Sequence, residues 1–173
     1  DPEFRSGPRG KEAIELSRVV DRGIRESESL DLSKLCIKDG EKVWMVSIDV
    51  VTMNTGGNLI DAAGIGALAA LKTAVFPEYD EESGVNYKKK TSKKLPLSKE
   101  PMPVTVFKIG DNLVLDPDSD EERAMDARLT VSSLPEGQIC SLQKGGDHPL
   151  SKEDIDAMTK MAIKQAKELR KKV

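Results

Sequence analysis

Residues 43–53 read VWMVSIDVVTM, Gly56-Gly57 follow, and residues 59–76 continue as LIDAAGIGALAALKTAVF. The first run is almost entirely β-branched or apolar, which predicts a buried strand. The glycine pair breaks it. The second run is long, apolar and rich in Ala and Gly, which predicts a helix packed closely against a sheet or another helix. Strand, Gly-Gly turn and helix make one αβ unit, with the turn at the helix N-terminus.

On the N-terminal side, residues 1–10 are rich in Pro, Gly and Arg and are expected to be irregular. Residues 11–29 read as an amphipathic helix, with Ala13, Leu16, Val20 and Ile24 on one face and Arg18, Arg22 and Arg25 on another. A short connector with Leu32, Leu35 and Ile37 leads to the strand.

On the C-terminal side, residues 77–103 hold EYDEESG, then YKKKTSKK, then prolines, and are expected to form a surface loop excursion. Residues 103–109 alternate as a strand, Gly110-Asp111-Asn112 turns, and residues 113–115 return. Residues 116–122 are an acidic connector. A second hairpin spans 127–134 and 138–143 around Pro135-Glu136-Gly137. Ser151 with Asp154 fits a capping box opening a final helix that ends in KELRKK, where the dipole favours positive charge. The order predicts an α+β fold, helices packed on a mostly antiparallel or mixed sheet. Such a sheet keeps an open edge, which implies strand partners beyond those present.

The 173 residues carry 27 Lys+Arg against 30 Asp+Glu, a formal net charge of -3 that excludes bulk nucleic-acid binding through overall positive charge. Any RNA or DNA contact has to come from a local basic patch. The 38% hydrophobic content fits a real core rather than a disordered acidic chain. No apolar run approaches the roughly 20 residues that span a bilayer, and DPEFRSGPRG does not read as a signal peptide. Aromatic residues are only 3%, with Trp44 the sole tryptophan, which argues against a platform for stacked bases. Cys36 and Cys140 both sit in apolar stretches and are expected to be small reduced core residues rather than a disulfide. With one histidine and no CxxC pair, a zinc site lacks ligands.

Five groups could carry chemistry. Gly56-Gly57 before a helix can cradle phosphate with backbone N–H groups, but NTGGNLI is neither a P-loop nor GxGxxG, and alone it reads as a tight turn. Asp116, Asp118, Asp120, Glu121, Glu122 and Asp126 can hold Mg²⁺ or supply an acid, or form a solvated loop. Arg18, Arg22 and Arg25 can grip successive phosphates, or form a solvated face partnered by Glu15, Asp21 and Glu26. Lys88, Lys89, Lys90, Lys93 and Lys94 can attract RNA or be a solvated loop. His148 follows Gly-Gly-Asp and has no nucleophile pattern beside it, so it reads as a loop residue.

Three strings then carry a resemblance: EAIELSRVVDRGIRESESLDLSKLCI, VWMVSIDVVTMNTGGNLIDAAGIGALAAL, and LVLDPDSDEERAMDARLTVSSLPEGQICSLQKGG. Together they resemble the RNase PH family, and more narrowly its non-catalytic subunits in the archaeal exosome. The resemblance covers the whole chain. It implies a duplicated βαβα-type α+β fold, of which residues 1–173 would be the C-terminal part of a single domain, with an N-terminal portion absent. It implies a hetero-hexameric ring with a catalytic RNase-PH-like subunit, exosome cap subunits above it, and single-stranded RNA degraded from its 3′ end by phosphate attack. It also implies a cytoplasmic location, no membrane contact, and no cofactor or metal of this subunit's own.

Catalytic members of the family carry Gly-Gly-Thr-Arg at the turn, where Thr and Arg hold the phosphate. Here the turn reads Gly56-Gly57-Asn58-Leu59, and leucine binds no anion. Asp120 and Asp126 stand where the family's catalytic pair is expected, so the resemblance makes them vestigial or structural. Arg18 and Arg22 match basic residues that contact the RNA backbone. Two other roles stay open: an active phosphate-dependent 3′–5′ exoribonuclease, resting on Asp120 and Asp126, and a purely structural ring subunit without RNA contact.

Overall fold

A computed structural model describes residues 10–173, so nearly all of the expected irregular N-terminal stretch lies outside the described residues. Helix α1 (Lys11–Glu26) leads through a short 3-10 turn to β1 (Cys36–Lys38) and β2 (Lys42–Val43). Helix α2 (Leu59–Thr73) follows, then β3 (Val75–Asp80), β4 (Gly84–Lys94), β5 (Met102–Ile109) and β6 (Asn112–Leu115). A one-turn helix, α3 (Ser119–Arg123), precedes β7 (Ala127–Ser133), β8 (Ile139–Gly145) and the final α4 (Lys152–Leu169).

The main sheet is four-stranded in the order β6-β5-β7-β8, and each of its ladders is antiparallel. The alternative of a mixed sheet is therefore not realised: among the described residues no strands pair in parallel. Strand β5 is buried from Met102 to Phe107 because helices cover both faces of the sheet. On one face Val104 and Val106 join Leu129, Val131 and the α4 residues Met158, Ala162 and Ala166 in the core. On the other face α2 lies so close that a Cβ on Gly64 would meet Pro103 Cγ at 2.3 Å. Met158 is fully buried, so cutting it to Ala would cost about 2–5 kcal/mol.

Helix α4 opens as its sequence says, with the Ser151 hydroxyl accepting from the Asp154 N–H and the Asp154 carboxylate accepting from the Ser151 N–H. Lys108 of β5 donates to the same carboxylate at 2.6 Å, and this bond leads the causes that hold Asp154 down to about 2. Helix α1 packs Leu16 and Val19 on Ile60 and Ala63 of α2.

Three expectations fail. Residues 44–57 form no strand beyond β2, and Met45, Val51 and Met53 are 86%, 84% and 90% exposed. Apolar β-branched sequence makes a strand only where a neighbouring ladder accepts its hydrogen bonds, and among the described residues none runs alongside. The expected loop at 77–103 is largely an ordered antiparallel hairpin, β3–β4, still at the surface, and the helix at 59–76 accordingly stops at Thr73. Cys36 is exposed and Cys140 half-buried, so neither is a core residue, although both are free thiols as expected. Among the described residues no helix is long and apolar enough to cross a membrane.

Candidate functional site

The Gly-Gly turn is shaped by close approach to the acidic connector. Gly57 adopts φ 110°, and a Cβ there would sit 2.2 Å from the Pro117 carbonyl oxygen. Only glycine fits both demands. Asn58, at the head of α2, takes a left-handed conformation (φ 51°), as does Asp116 opposite it (φ 51°). The Asn58 Nδ2 donates to Asp116 Oδ1 at 3.1 Å and to Asp61 Oδ2 at 3.1 Å, so that one amide clasps the two left-handed residues together. The Asn58 backbone N–H donates to Glu122 Oε2 at 3.1 Å.

Asp61 is the centre of this cluster. It is 6% exposed, and besides Asn58 it accepts from the Thr105 N–H at 2.9 Å and the Thr105 hydroxyl at 2.7 Å. Thr105 in turn shares a 2.8 Å hydrogen bond with Thr130, so the network runs from α2 through β5 to β7. Burial pushes the Asp61 carboxyl above the usual carboxylate range, against the pull of its hydrogen-bond donors, and the Asp116 charge pushes the same way.

The turn is thus ringed by its own carboxylates. Asp61, Asp116 and Glu122 all bond Asn58, and among the described residues no Lys or Arg joins them. An arriving phosphate would find the Asn58 amide engaged and three acidic groups beside it. The Leu59 side chain, half-buried beside α1, adds no donor. Nor do the acids make a cation cage: no group of three or more His, Cys, Asp or Glu among the described residues could hold a metal ion.

The two aspartates of the expected catalytic pair have separate engagements. Asp120 lies in α3, is 86% exposed and pairs with Arg123. Asp126 is half-buried: its Oδ2 accepts from the Gly110 N–H at 2.6 Å, and its Oδ1 lies 3.2 Å from His148 Nδ1. The His148 N–H also donates to the Asp126 carbonyl at 3.1 Å. Asp126 therefore fastens the β5–β6 turn and the loop after β8 to the start of β7. His148 is a loop residue, as its sequence suggests, though one tied to Asp126.

The arginines of α1 are treated unequally. Arg25 pairs with Asp21 at 3.2 Å and with Glu26 at 3.7 Å. Arg22 is half-buried and reaches across to β8, donating to Gln143 Oε1 at 3.3 Å. Arg18 is exposed and carries no hydrogen bond or ion pair among the described residues. Glu15, an expected partner of this face, instead pairs with Arg128 of β7 at 2.8 Å.

Asp61 was missed by sequence reasoning as a site residue. Its signal is visible afterwards: a lone carboxylate in the otherwise apolar run LIDAAGIGALAAL, which needs buried donors to be tolerated. Gln143 gave no such signal, because its contact with Arg22 spans 121 positions.

Both the sequence and the fold have known relatives. The model for the 3′ exoribonuclease family, domain 1, matches residues 1–77, and that for domain 2 of the same family matches residues 99–165. The first match ends inside β3, the second begins after β4, and together they take in most of the chain. The chain is 47% identical over 174 residues to the exosome complex component Rrp42 of Thermococcus onnurineus, covering 99% of this chain and 64% of that protein. It is 45% identical to the component of the same name from Thermococcus kodakarensis, with the same coverage. It therefore spans about 64% of the length of these curated relatives. Among solved structures, a chain of the Archaeoglobus fulgidus exosome with RNA bound to the active site is similar, with a TM-score of 0.87 and 37% identity. That match covers 99% of this chain and 65% of the other.

Proposed function

This chain belongs to the RNase PH family of 3′ exoribonucleases, and from that premise we propose that it is a non-catalytic ring subunit of an RNA exosome. In this role it pairs with a catalytic RNase-PH-like subunit in a hetero-hexameric ring beneath exosome cap subunits. It helps form the interface at which the partner cleaves, and it guides single-stranded RNA toward that site. The finer reading of the fold, a duplicated βαβα unit, belongs to the same proposal, as does a cytoplasmic location.

The observation that carries it is the state of the Gly56–Asn58 turn. Phosphorolysis needs a bound phosphate as nucleophile, and most of the rate comes from holding it in place. Here Glu122 takes the Asn58 N–H, and Asp61 and Asp116 take its side chain. Three carboxylates repel what the reaction must bind. The reading of Asp120 and Asp126 as structural is supported by their separate partners, Arg123 for one and Gly110 with His148 for the other.

RNA guidance rests on α1. Arg18 and Arg22 lie one turn apart, and the Gln143 contact holds the second in place while the first stays open. Guanidinium groups so placed suit consecutive phosphates and read no sequence. Replacing both by Ala should flatten the slope of log affinity against log salt for RNA on the assembled ring by about 1.4, at about 0.7 per phosphate contact. Assembly with the catalytic subunit, read by gel filtration, should be intact. An intact ring with unchanged affinity and slope would remove the RNA role, and a broken ring would favour the purely structural subunit.

A further inference from the structure

We propose that the β3–β4 hairpin is a second RNA-backbone contact, in which Lys88, Lys90 and Lys94 engage phosphates. This extends the reading of the chain as an RNA-guiding subunit and rests on it for the choice of RNA as ligand.

The hairpin is asymmetric by construction. Strand β3 has 6 residues and β4 has 11. Near the tip the two run in simple register, with Asp80 opposite Gly84, Tyr79 opposite Val85 and Glu78 opposite Asn86. The next partners are Pro77 and Lys90, so one step on β3 spans four on β4. Then Val75 faces Lys94, and two steps span four. The surplus is gathered into two bulges, each closed by a side chain. Asn86 Oδ1 accepts from the Lys88 N–H at 3.1 Å, and Thr91 Oγ1 accepts from the Lys93 N–H at 3.2 Å. Thr91 also donates to the Phe76 carbonyl at 2.7 Å, which pins the second bulge to β3. Bulges redirect side chains, and here all the lysines of the strand lie within or at the ends of the bulged segments.

The base of the hairpin is anchored. Trp44 packs on Phe76 with ring centroids 5.4 Å apart and on Tyr79 at 6.2 Å. Two of the five lysines are occupied: Lys89 pairs with Glu78 at 3.3 Å, and Lys93 lies 5.2 Å from the Phe76 ring centroid. Lys88, Lys90 and Lys94 are exposed, and their side chains have no hydrogen bond or ion pair among the described residues. The Asp80 carboxylate at the tip does not serve them, since its Oδ1 accepts from the Glu82 and Ser83 N–H groups and the Ser83 hydroxyl instead. Tyr87, beside Lys88, is 79% exposed and offers a ring face to a base.

On a chain of net charge -3, three unpaired cations on one anchored ribbon are a local reversal of sign. Lysines are flexible point charges, suited to a backbone whose phosphates are not held in fixed geometry. Lysines also guard open strand edges against pairing with another chain, and the experiment must separate that role from RNA contact.

Labelled single-stranded RNA of two unrelated sequences is titrated into the full chain, without partner subunits, at several salt concentrations. The triple variant Lys88→Gln, Lys90→Gln, Lys94→Gln should flatten the salt slope by about 2, at about 0.7 per phosphate contact, for both sequences alike. The triple Lys→Arg variant should keep the slope. Gel filtration of each variant, alone and with the catalytic subunit, runs in parallel. An unchanged slope in the Gln variant overturns the proposal. Self-association of that variant with an unchanged slope assigns the lysines to edge protection and also overturns it. Lost assembly with an unchanged slope assigns them to an acidic protein partner and overturns it as well. A flattened slope with assembly retained supports the ribbon contact, whereas failure of the unaltered chain to assemble would count against the ring reading and leave this result standing.

Discussion

The molecule treats its two anion-facing regions in opposite ways. At the head of α2 the Asn58 donors are spent internally: its N–H on Glu122 and its side chain on Asp61 and Asp116, while the Thr105 N–H and hydroxyl go to Asp61. On the outer face of α1, Arg18 has no partner among the described residues and Arg22 only a neutral one. The first region is a partly buried network in which charge is consumed by the fold. The second is a surface in which charge is left for something else. A glycine turn at a helix N-terminus is often an anion site. The contrast shows that the turn alone does not decide this, because the residues that close around it do.

The contrast is easiest to break at Asp61. Its carboxylate accepts from three donors, so Asp61→Ala strands the buried Thr105 N–H and leaves the Thr105 hydroxyl to Thr130 and the Asn58 side chain to Asp116, and should cost about 3–5 kcal/mol in denaturant unfolding. Asp61→Asn keeps an oxygen for the Thr105 N–H and should cost far less. The pH dependence has a definite sign. The folded-state value of Asp61 is raised above its unfolded value, so its contribution is fully present below the unfolded value of about 3.9 and is lost as pH rises through the folded one. That component should vanish in Asp61→Asn. A variant as stable as the parent when Ala replaces Asp61 would show that the network is not what holds the turn closed.

Glu122→Gln sharpens the same comparison at lower cost. The amide still accepts from the Asn58 N–H but without charge, for a loss of about 1 kcal/mol. Phosphate titration should still give no binding, because Asp61 and Asp116 remain. Binding on this single change would mean that Glu122 alone had blocked a competent site.

Asp126→Asn should have the smallest effect on RNA decay by the mixed ring, well under tenfold, or about 1.4 kcal/mol of barrier. Its carboxylate holds the Gly110 N–H and lies against His148, and Asn keeps one accepting oxygen for that purpose. A larger loss of rate at unchanged stability would make Asp126 a working acid.

How far these features were legible in sequence depended on range. Helix α1, the β5–β6 and β7–β8 hairpins and the α4 capping box follow from local periodicity and turn chemistry, and they stand where expected. Residues 44–57 misled because VWMVSIDVVTM has the composition of a central strand, yet strand formation is a property of neighbours, and none is described there. The hairpin at 75–94 was obscured by its lysines and by the bulges that break alternation. Of the site, the Gly-Gly turn, the acidic connector and the arginine face were readable as separate motifs. That the connector closes the turn was not, since Asn58 meets Glu122 across 64 positions.

The central claim, that this subunit needs a partner to degrade RNA, is tested most directly by a phosphate-dependent decay assay. Three samples are compared: the chain alone, the catalytic RNase-PH-like subunit alone, and the two mixed, with nucleoside diphosphate release as the readout. The account predicts no release from the chain alone, and faster release from the mixture than from the catalytic subunit by itself. Robust phosphate-dependent release by the chain alone, or a mixture no faster than the catalytic subunit, would contradict it.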